Sequence, residues 1–309
     1  VEGKPVGVAI GFYILDFARI TTREETFDAT GYLEISWLDP SLARPDASQA
    51  DPGSSRRLDV SSIWTPRVFF LNAVEPPRYH DDPVVEVDAR GMVTSWAIVS
   101  GKFSAFMDLR RFPFDRQTLP VKISAFEGES VVKFETKPEL TMIDPEAAVT
   151  DWTIESTGAR VESRVYVPGQ ESYTHYVYEV GVRRRPAFFV WRAMVPLALL
   201  TAVSFAAFWF EPVGLQPQIS TCMAALISLV AFNFAIDFSL PKEAYLTIID
   251  RHALTGFAFV AAGVVVVTLV HLAVKRDRLD LARRIQSVAR WTLPLAYVMA
   301  VLLNLSLPG

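Results

Sequence analysis

Through residue 185 the chain alternates apolar and polar side chains with a period of two, and beyond it apolar residues run on almost without interruption. Within Gly31–Leu38 the alternation sets Leu33, Ile35 and Trp37 on one face and Tyr32, Glu34 and Ser36 on the other, the pattern of a strand with one buried face. Similar runs occur at Val6–Phe17, Val84–Val87, Met92–Ile98, Val121–Phe126, Val131–Phe134, Trp152–Ser156, Ala159–Val165 and Tyr173–Val182. Turn formers separate them, among them Asp39-Pro40, Asp51-Pro52-Gly53, Ala89-Arg90-Gly91, Glu127-Gly128 and Pro168-Gly169. About ten short strands of this kind predict an all-β, immunoglobulin-like sandwich for residues 1–185.

A helix needs roughly 20 apolar residues to cross the hydrocarbon core of a bilayer. Four segments of residues 186–309 qualify, at about 187–210, 217–240, 253–274 and 291–307, the last of them short. They predict a four-helix transmembrane bundle. Aromatic residues gather near segment ends (Phe188, Phe189, Trp191, Trp209, Phe210 and Trp291), where amphipathic rings favour the membrane interface. Lys275, Arg276, Arg278, Arg283, Arg284 and Arg290 fall between the third and fourth segments, whereas Lys242 and Arg251 fall between the second and third. The positive-inside bias then puts the basic stretch in the cytoplasm and both chain ends outside. Arg183, Arg184 and Arg185 lie outside on this topology, but they close a long folded domain, whose charges count little.

Composition sharpens the division. The 309 residues are 51% hydrophobic with a mean hydropathy of +0.26, unlike one uniform water-exposed domain. Residues 1–185 hold 28 acids against 21 bases, and residues 186–309 hold 6 against 9. An acidic outer half concentrates cations and disfavours nucleic acid as a partner. Cys222 is the one cysteine, so no disulfide can form within the chain, which suits a bacterial membrane protein. The chain opens at Val1 without an apolar leader, and the expectation is that a signal peptide has been removed. No Gly-rich phosphate loop, metal-ligand pair or nucleophile motif is present, so no enzyme, cofactor or metal site is expected.

Several segments resemble the Cys-loop receptor superfamily of pentameric ligand-gated ion channels, and its bacterial members most closely. They are Ile63-Trp64-Thr65-Pro66 followed by Asn72; Arg111-Phe112-Pro113-Phe114-Asp115-Arg116-Gln117-Thr118-Leu119; the stretch Arg184–Pro196; and Asn233 with Leu240-Pro241. The family's paired cysteines around the Phe-Pro-Phe-Asp loop are absent, as in bacterial relatives. The resemblance implies a homopentamer, in which each subunit meets four identical subunits. It also implies an agonist site between subunits, permeating inorganic ions, and residence in a bacterial inner membrane with the N-terminal domain and C-terminus on the extracellular or periplasmic side.

With Pro241 taken as the family's marker of the outer pore end, the pore-facing positions are Ser220, Ala224, Ile227, Ala231, Phe234 and Phe238. Their spacing of four and three residues in alternation is that of a helix packed around an axis. Rings of Ile227, Phe234 and Phe238 would form apolar constrictions. The resemblance places Gln216 where cation channels of the family carry a carboxylate at the cytoplasmic mouth, and Asp237 stands at the outer mouth. Asp237 and the acidic outer half favour cations; an anion-selective channel, or a non-conducting receptor or solute-binding protein, is the alternative.

For coupling, the resemblance points to Asp115 and Pro113 in the Phe-Pro-Phe-Asp loop and Arg184 before the first span; Lys242 after the second span and Glu25 in an early turn fall near the same predicted junction and complete the expected set. For the agonist the resemblance points to Phe126, Tyr166, Tyr173 and Tyr176 of one subunit, with Tyr32 and Glu34 of its neighbour. Ring faces beside carboxylates suit small organic cations. Protons are the rival agonist, with His175 in the same hairpin as a group that titrates near neutrality.

Overall fold

The computed structural model describes residues 4–44, 55–237 and 245–306. Phe238, Leu240-Pro241, Lys242, the turn Asp51-Pro52-Gly53 and the side chain of Asp237 lie outside the described residues. The chain divides into two compact units, Val1–Met107 with Arg116–Arg183 and Asp108–Asp115 with Arg184–Gly309.

The first unit is a sandwich of two sheets. One contains β3 (Ser55–Leu58), β6 (Val84–Asp88), β7 (Met92–Ser104), β2 (Thr26–Leu38), β1 (Val6–Thr21) and β9 (Val132–Thr136) in that order, with β5 (Arg78–Tyr79) also paired to β7. The other runs β10 (Trp152–Val165), β11 (Ser172–Arg184), β8 (Arg116–Ala125) and β4 (Val68–Phe70). The β1–β2 register sets Val8 opposite Trp37, Ile10 opposite Ile35 and Phe12 opposite Leu33, so the apolar set of each strand shares one face. Those six residues are buried, together with Val121 and Ile123 of β8 and Val180 and Val182 of β11. Phe12 sits at the centre of this core, edge-on to Phe70 and Tyr178 at 6.1 and 5.9 Å. Its ring covers Gly31 so closely that a Cβ there would overlap the ring carbons.

Tyr176 is a correction to the expected agonist set. It has no exposed surface, its hydroxyl accepts a hydrogen bond from the Phe12 amide at 3.3 Å, and burial pushes its pKa up to about 12. Because β11 is an inner strand of its sheet, residues 174–178 are buried on both faces, and alternation alone could not tell which tyrosine points outward.

In the second unit four helices are long and apolar enough to cross a membrane: α1 (Ala187–Trp209), α2 (Leu215–Asp237), α3 (Ile248–Lys275) and α4 (Leu279–Ser306). The first is irregular. It widens to a π-helix over Val190–Met194 and tightens to a 3-10 helix over Phe205–Trp209. Pro196 follows the wide turn; its ring would crowd the carbonyl four residues back and it donates no hydrogen bond, and an extra residue in that turn relieves both problems. The 3-10 end is held by α4. Gln286 donates to the Phe208 and Phe210 carbonyls, and Arg290 donates to the Phe208 carbonyl at 3.0 and 3.2 Å with its guanidinium 4.4 Å above Trp209.

Two helices begin earlier than their apolar runs. At the start of α3 the Thr247 hydroxyl accepts from the Asp250 amide at 3.3 Å while the Asp250 carboxylate accepts from the Thr247 amide at 2.9 Å, a capping box that extends the helix upstream of Ala253. Helix α4 begins at Leu279 rather than near 291, so the expected basic loop shrinks to Arg276–Arg278 and Arg283, Arg284 and Arg290 lie on a helix. This first half of α4 is amphipathic: Ala282, Gln286 and Ala289 are buried while the arginines face outward or reach α1.

The steric account of Gly31 predicts that Gly31→Ala lowers sandwich stability by about 1–3 kcal/mol, the usual cost of overpacking a filled core. Gly158→Ala on β10, where an added methyl meets nothing within 4 Å, serves as the control and leaves the thermal midpoint unchanged. Equal midpoints for the two variants in thermal unfolding would contradict it.

Candidate functional site

Helix α2 has two unlike faces. Gln218, Cys222, Ala225 and Leu229 are buried, and Cys222 packs into a cluster with Phe205, Phe208, Val267 and Tyr297. Gln216, Ser220, Ala224, Ile227, Ala231 and Phe234 are all exposed. At 3.6 residues per turn the centres of these two sets lie roughly 180° apart. The exposed set is apolar in its outer half, with Ile227 at 64% and Phe234 at 66% exposure. Toward Leu215 it becomes polar, with Gln216 and Ser220 exposed, while the Thr221 hydroxyl donates back to the Pro217 carbonyl at 2.8 Å. The buried Gln218 side chain donates to the Glu211 carbonyl at 3.1 Å and fixes the connection from α1.

At the other end of the helical unit, the segment Asp108–Asp115 is tied to α1 through a buried ion pair. Arg184 Nε and Nη2 donate to the two carboxylate oxygens of Asp115 at 2.8 and 3.2 Å, and the Arg184 amide donates to the Asp115 carbonyl at 3.1 Å. Side-chain exposures of 5% and 1% leave this pair unscreened by water. The guanidinium lies 4.7 Å from the Phe112 ring and 5.8 Å from the Phe189 ring, which meet each other edge-on at 4.6 Å. Pro113, joined to Phe112 by a cis peptide, is part of this turn. Two contacts were not legible in sequence: the Leu109 amide donates to the Tyr245 hydroxyl at 2.9 Å, and Arg251 donates to the Arg110 carbonyl at 3.5 Å. Within the sandwich, Glu25 adopts a left-handed conformation at φ 51°. Its carbonyl accepts from the Ala105 amide at 2.8 Å and its carboxylate from the Met107 amide at 3.1 Å, which anchors the chain directly before Asp108.

The expected agonist residues fall into separate groups in one chain. Tyr166, Tyr173 and His175 come together beneath the β10–β11 hairpin: the Tyr166 hydroxyl is 3.1 Å from His175 Nε2, and the Tyr166 and Tyr173 rings are 6.0 Å apart. His175 is 1% exposed and pairs with Ser124 of β8, and burial lowers its pKa below the usual histidine value. Titration near neutrality is therefore corrected to a more acidic range. The Phe126 ring meets Phe69 at a tilt of 50° with centroids 4.6 Å apart, and Arg67 lies 5.5 Å from the Phe126 ring. Tyr32 and Glu34 sit on the other sheet, where the Tyr32 hydroxyl donates to Glu34 at 2.8 Å and Lys137 donates to Glu34 at 2.6 Å. Burial, and next the Glu34 hydrogen bond, raise the Tyr32 pKa. Trp96 completes this patch at 5.8 Å from Tyr32. Pairing β7 against β2 would have found Trp96, which lies opposite Glu34, whereas no local pattern marks Lys137.

Residues 1–186 match the family model of the neurotransmitter-gated ion-channel ligand binding domain. Over 97% of its length the chain is 24% identical to a proton-gated ion channel of Gloeobacter violaceus, of which it covers 82%. It is 22% identical over 85% of its length to the gamma-aminobutyric acid receptor subunit rho-3 of Homo sapiens, and 24% identical over 84% to the beta-4 subunit of Gallus gallus. The chain spans 57% and 53% of those two receptor subunits. A sandwich followed by four membrane-capable helices, with a family match over more than half of the chain, establishes that this is a multi-pass membrane protein of the neurotransmitter-gated, pentameric ligand-gated ion-channel family and not an enzyme.

Proposed function

We propose that five copies of this chain assemble around an axis lined by α2 and form a cation-selective channel of a bacterial inner membrane, opened by an extracellular agonist. The observation that carries the reading is the exposed stripe Gln216, Ser220, Ala224, Ile227, Ala231 and Phe234, set opposite the buried face of the same helix. A helix in a bilayer gains nothing by facing lipid with Gln216 and Ser220, but facing a shared water path suits them. Rings of Ile227 and Phe234 then act as apolar constrictions that stop conduction by expelling water until they widen. Phe238 and Asp237 would extend the stripe to the outer mouth.

Cation preference rests on the acidic balance of residues 1–185. The neutral Gln216 leaves the inner mouth without a carboxylate ring of its own. On this topology the N-terminal domain and the C-terminus are extracellular or periplasmic. The agonist is a small molecule held by Tyr166, Tyr173 and Phe126 of one subunit and Tyr32 with Glu34 of the next, or the proton, as the name of the Gloeobacter relative suggests. The Asp115–Arg184 pair with Pro113, Glu25 anchoring the preceding strand, and Lys242 after α2 form the coupling path from agonist to pore.

Current from the purified protein in planar bilayers under asymmetric sodium chloride tests conduction, agonist and selectivity together. The expected reversal potential follows the sodium gradient; one that follows chloride removes the cation reading, and no current with any amine or at any pH removes the channel reading. If protons open it through His175, half-activation falls below pH 6.5, because burial disfavours the imidazolium, and His175→Gln moves that midpoint. Breaking the buried pair is expected to impair opening rather than assembly. Asp115→Asn keeps the shape but removes the charge and one of the two acceptors of the Arg184 guanidinium, so pentamers elute normally and agonist response shifts to higher concentration by at least tenfold; Arg184→Ala, which strands a buried carboxylate, has the larger effect. Wild-type currents from both variants would refute the coupling role.

A further inference from the structure

The β10–β11 hairpin is fastened from both sides to the turn that follows β8. The turn closes on Gly128, whose carbonyl accepts from the Val131 and Val132 amides at 2.9 and 3.0 Å, and Arg67 holds Glu127 at its start at 2.9 Å. From this turn Glu129 reaches the hairpin. One of its carboxylate oxygens accepts from the Ser163 hydroxyl of β10 and the other from the Ser172 hydroxyl of β11, while the Glu129 amide donates to the Ser172 carbonyl at 2.8 Å. A single side chain thus ties both strands. From the hairpin Glu171 reaches back, and its carboxylate accepts from the Ser130 amide at 2.9 Å. It lies over Gly128 so closely that a Cβ there would overlap the carboxylate carbon and oxygens. Hydrogen bonds from Ser163 and Ser172 hold the Glu129 carboxyl below the usual glutamate range, and those from Ser130 do the same for Glu171, so both accept as charged groups at neutral pH.

We infer that Glu129 and Glu171 are positioning residues, a two-carboxylate latch that seats the hairpin carrying Tyr166 and Tyr173 against the turn carrying Phe126. The hairpin tip, residues 166–171, is exposed, so apolar burial contributes little to its placement and the polar contacts decide it. The two negative charges oppose each other, and Glu129 works against the ionised form of Glu171, but the hydrogen bonds outweigh that repulsion. Gly128 has its own part in the latch, because any side chain there would take the space of the Glu171 carboxylate. The link to agonist binding rests on the function proposed above; the latch itself does not.

A nitroxide at Gln170→Cys in a Cys222→Ser background, in full-length protein in phosphatidylcholine vesicles, reports hairpin mobility through its spectrum. Glu171→Ala and Gly128→Ala, the second of which displaces the carboxylate without removing it, should each raise mobility with the thermal midpoint unchanged. The double variant should add nothing to either, since both delete one contact. Glu171→Gln keeps an acceptor for the Ser130 amide and should retain the wild-type spectrum, whereas Glu129→Ala frees both strands and should raise mobility further. In planar bilayers the half-maximal concentration of propylamine, used as the probe agonist, should rise about tenfold in Glu171→Ala with maximal current unchanged. Wild-type mobility in Glu171→Ala or Gly128→Ala overturns the inference, as does additivity in the double variant, which would assign the two residues to separate contacts. Glu171→Gln as mobile as Glu171→Ala overturns it too, because charge rather than the Ser130 contact would then hold the hairpin. An unshifted propylamine response from a mobile hairpin removes the positioning role. A wild type that gives no propylamine current bears on the channel reading alone, and the nitroxide still decides the latch.

Discussion

A membrane-spanning helix packed on one side only must find a use for its other side. Helix α2 buries Gln218, Cys222, Ala225 and Leu229 against its own subunit and leaves the opposite stripe from Gln216 to Phe234 uncovered. Lipid can cover Ile227 and Phe234 without cost but not Gln216 and Ser220, and hydrocarbon offers no hydrogen bond to an exposed amide or hydroxyl. The proposed five-fold ring would resolve the conflict by giving the stripe to water at its polar end and to neighbouring copies of itself at its apolar end. On the proposed assembly the same stripe would set both assembly and gating, because side chains that close a ring in one state line a wider passage in another.

The Asp115–Arg184 pair contributes geometry more than stability. Desolvating both charges costs several kcal/mol, which their attraction roughly offsets, and a buried pair is therefore weak support for fold stability. Its bidentate hydrogen bonds and the flanking Phe112 and Phe189 rings hold the segment Asp108–Asp115 in one orientation at the head of α1. The π-helix at Val190–Met194 begins one turn below, beside the same rings. On the proposed coupling path, displacement passes from this rigid pair into the locally widened start of α1.

Much of this was legible in sequence because it depends on local periodicity. Alternation in Gly31–Leu38 identified the buried set Leu33, Ile35 and Trp37, and four apolar runs marked the four helices. Boundaries failed where chemistry other than hydropathy decides them: Thr247 with Asp250 starts α3 inside a charged stretch, and α4 begins as an amphipathic helix that no apolar window detects. Tyr176 was misplaced for a different reason. Tyr173 and Tyr176 look alike in sequence, yet an inner strand buries Tyr176 against Phe12 and leaves Tyr173 partly open beside Tyr166. Pairings such as Glu34 with Lys137, or Gln286 with the Phe208 carbonyl, join residues far apart in the chain and carry no local signal.

The pore-facing stripe is the central claim, and cysteine accessibility tests it most directly. In a Cys222→Ser background, single cysteines at Ser220, Ala224, Ile227 and Phe234 are exposed to a charged thiol reagent during agonist application, alongside cysteines at Ala225 and Leu229. The account predicts irreversible block of current at the first set and no effect at the second. Block at Ala225 and Leu229 with Ser220 and Ile227 unaffected would mean that α2 presents its other face to the ion path, and the account would fail.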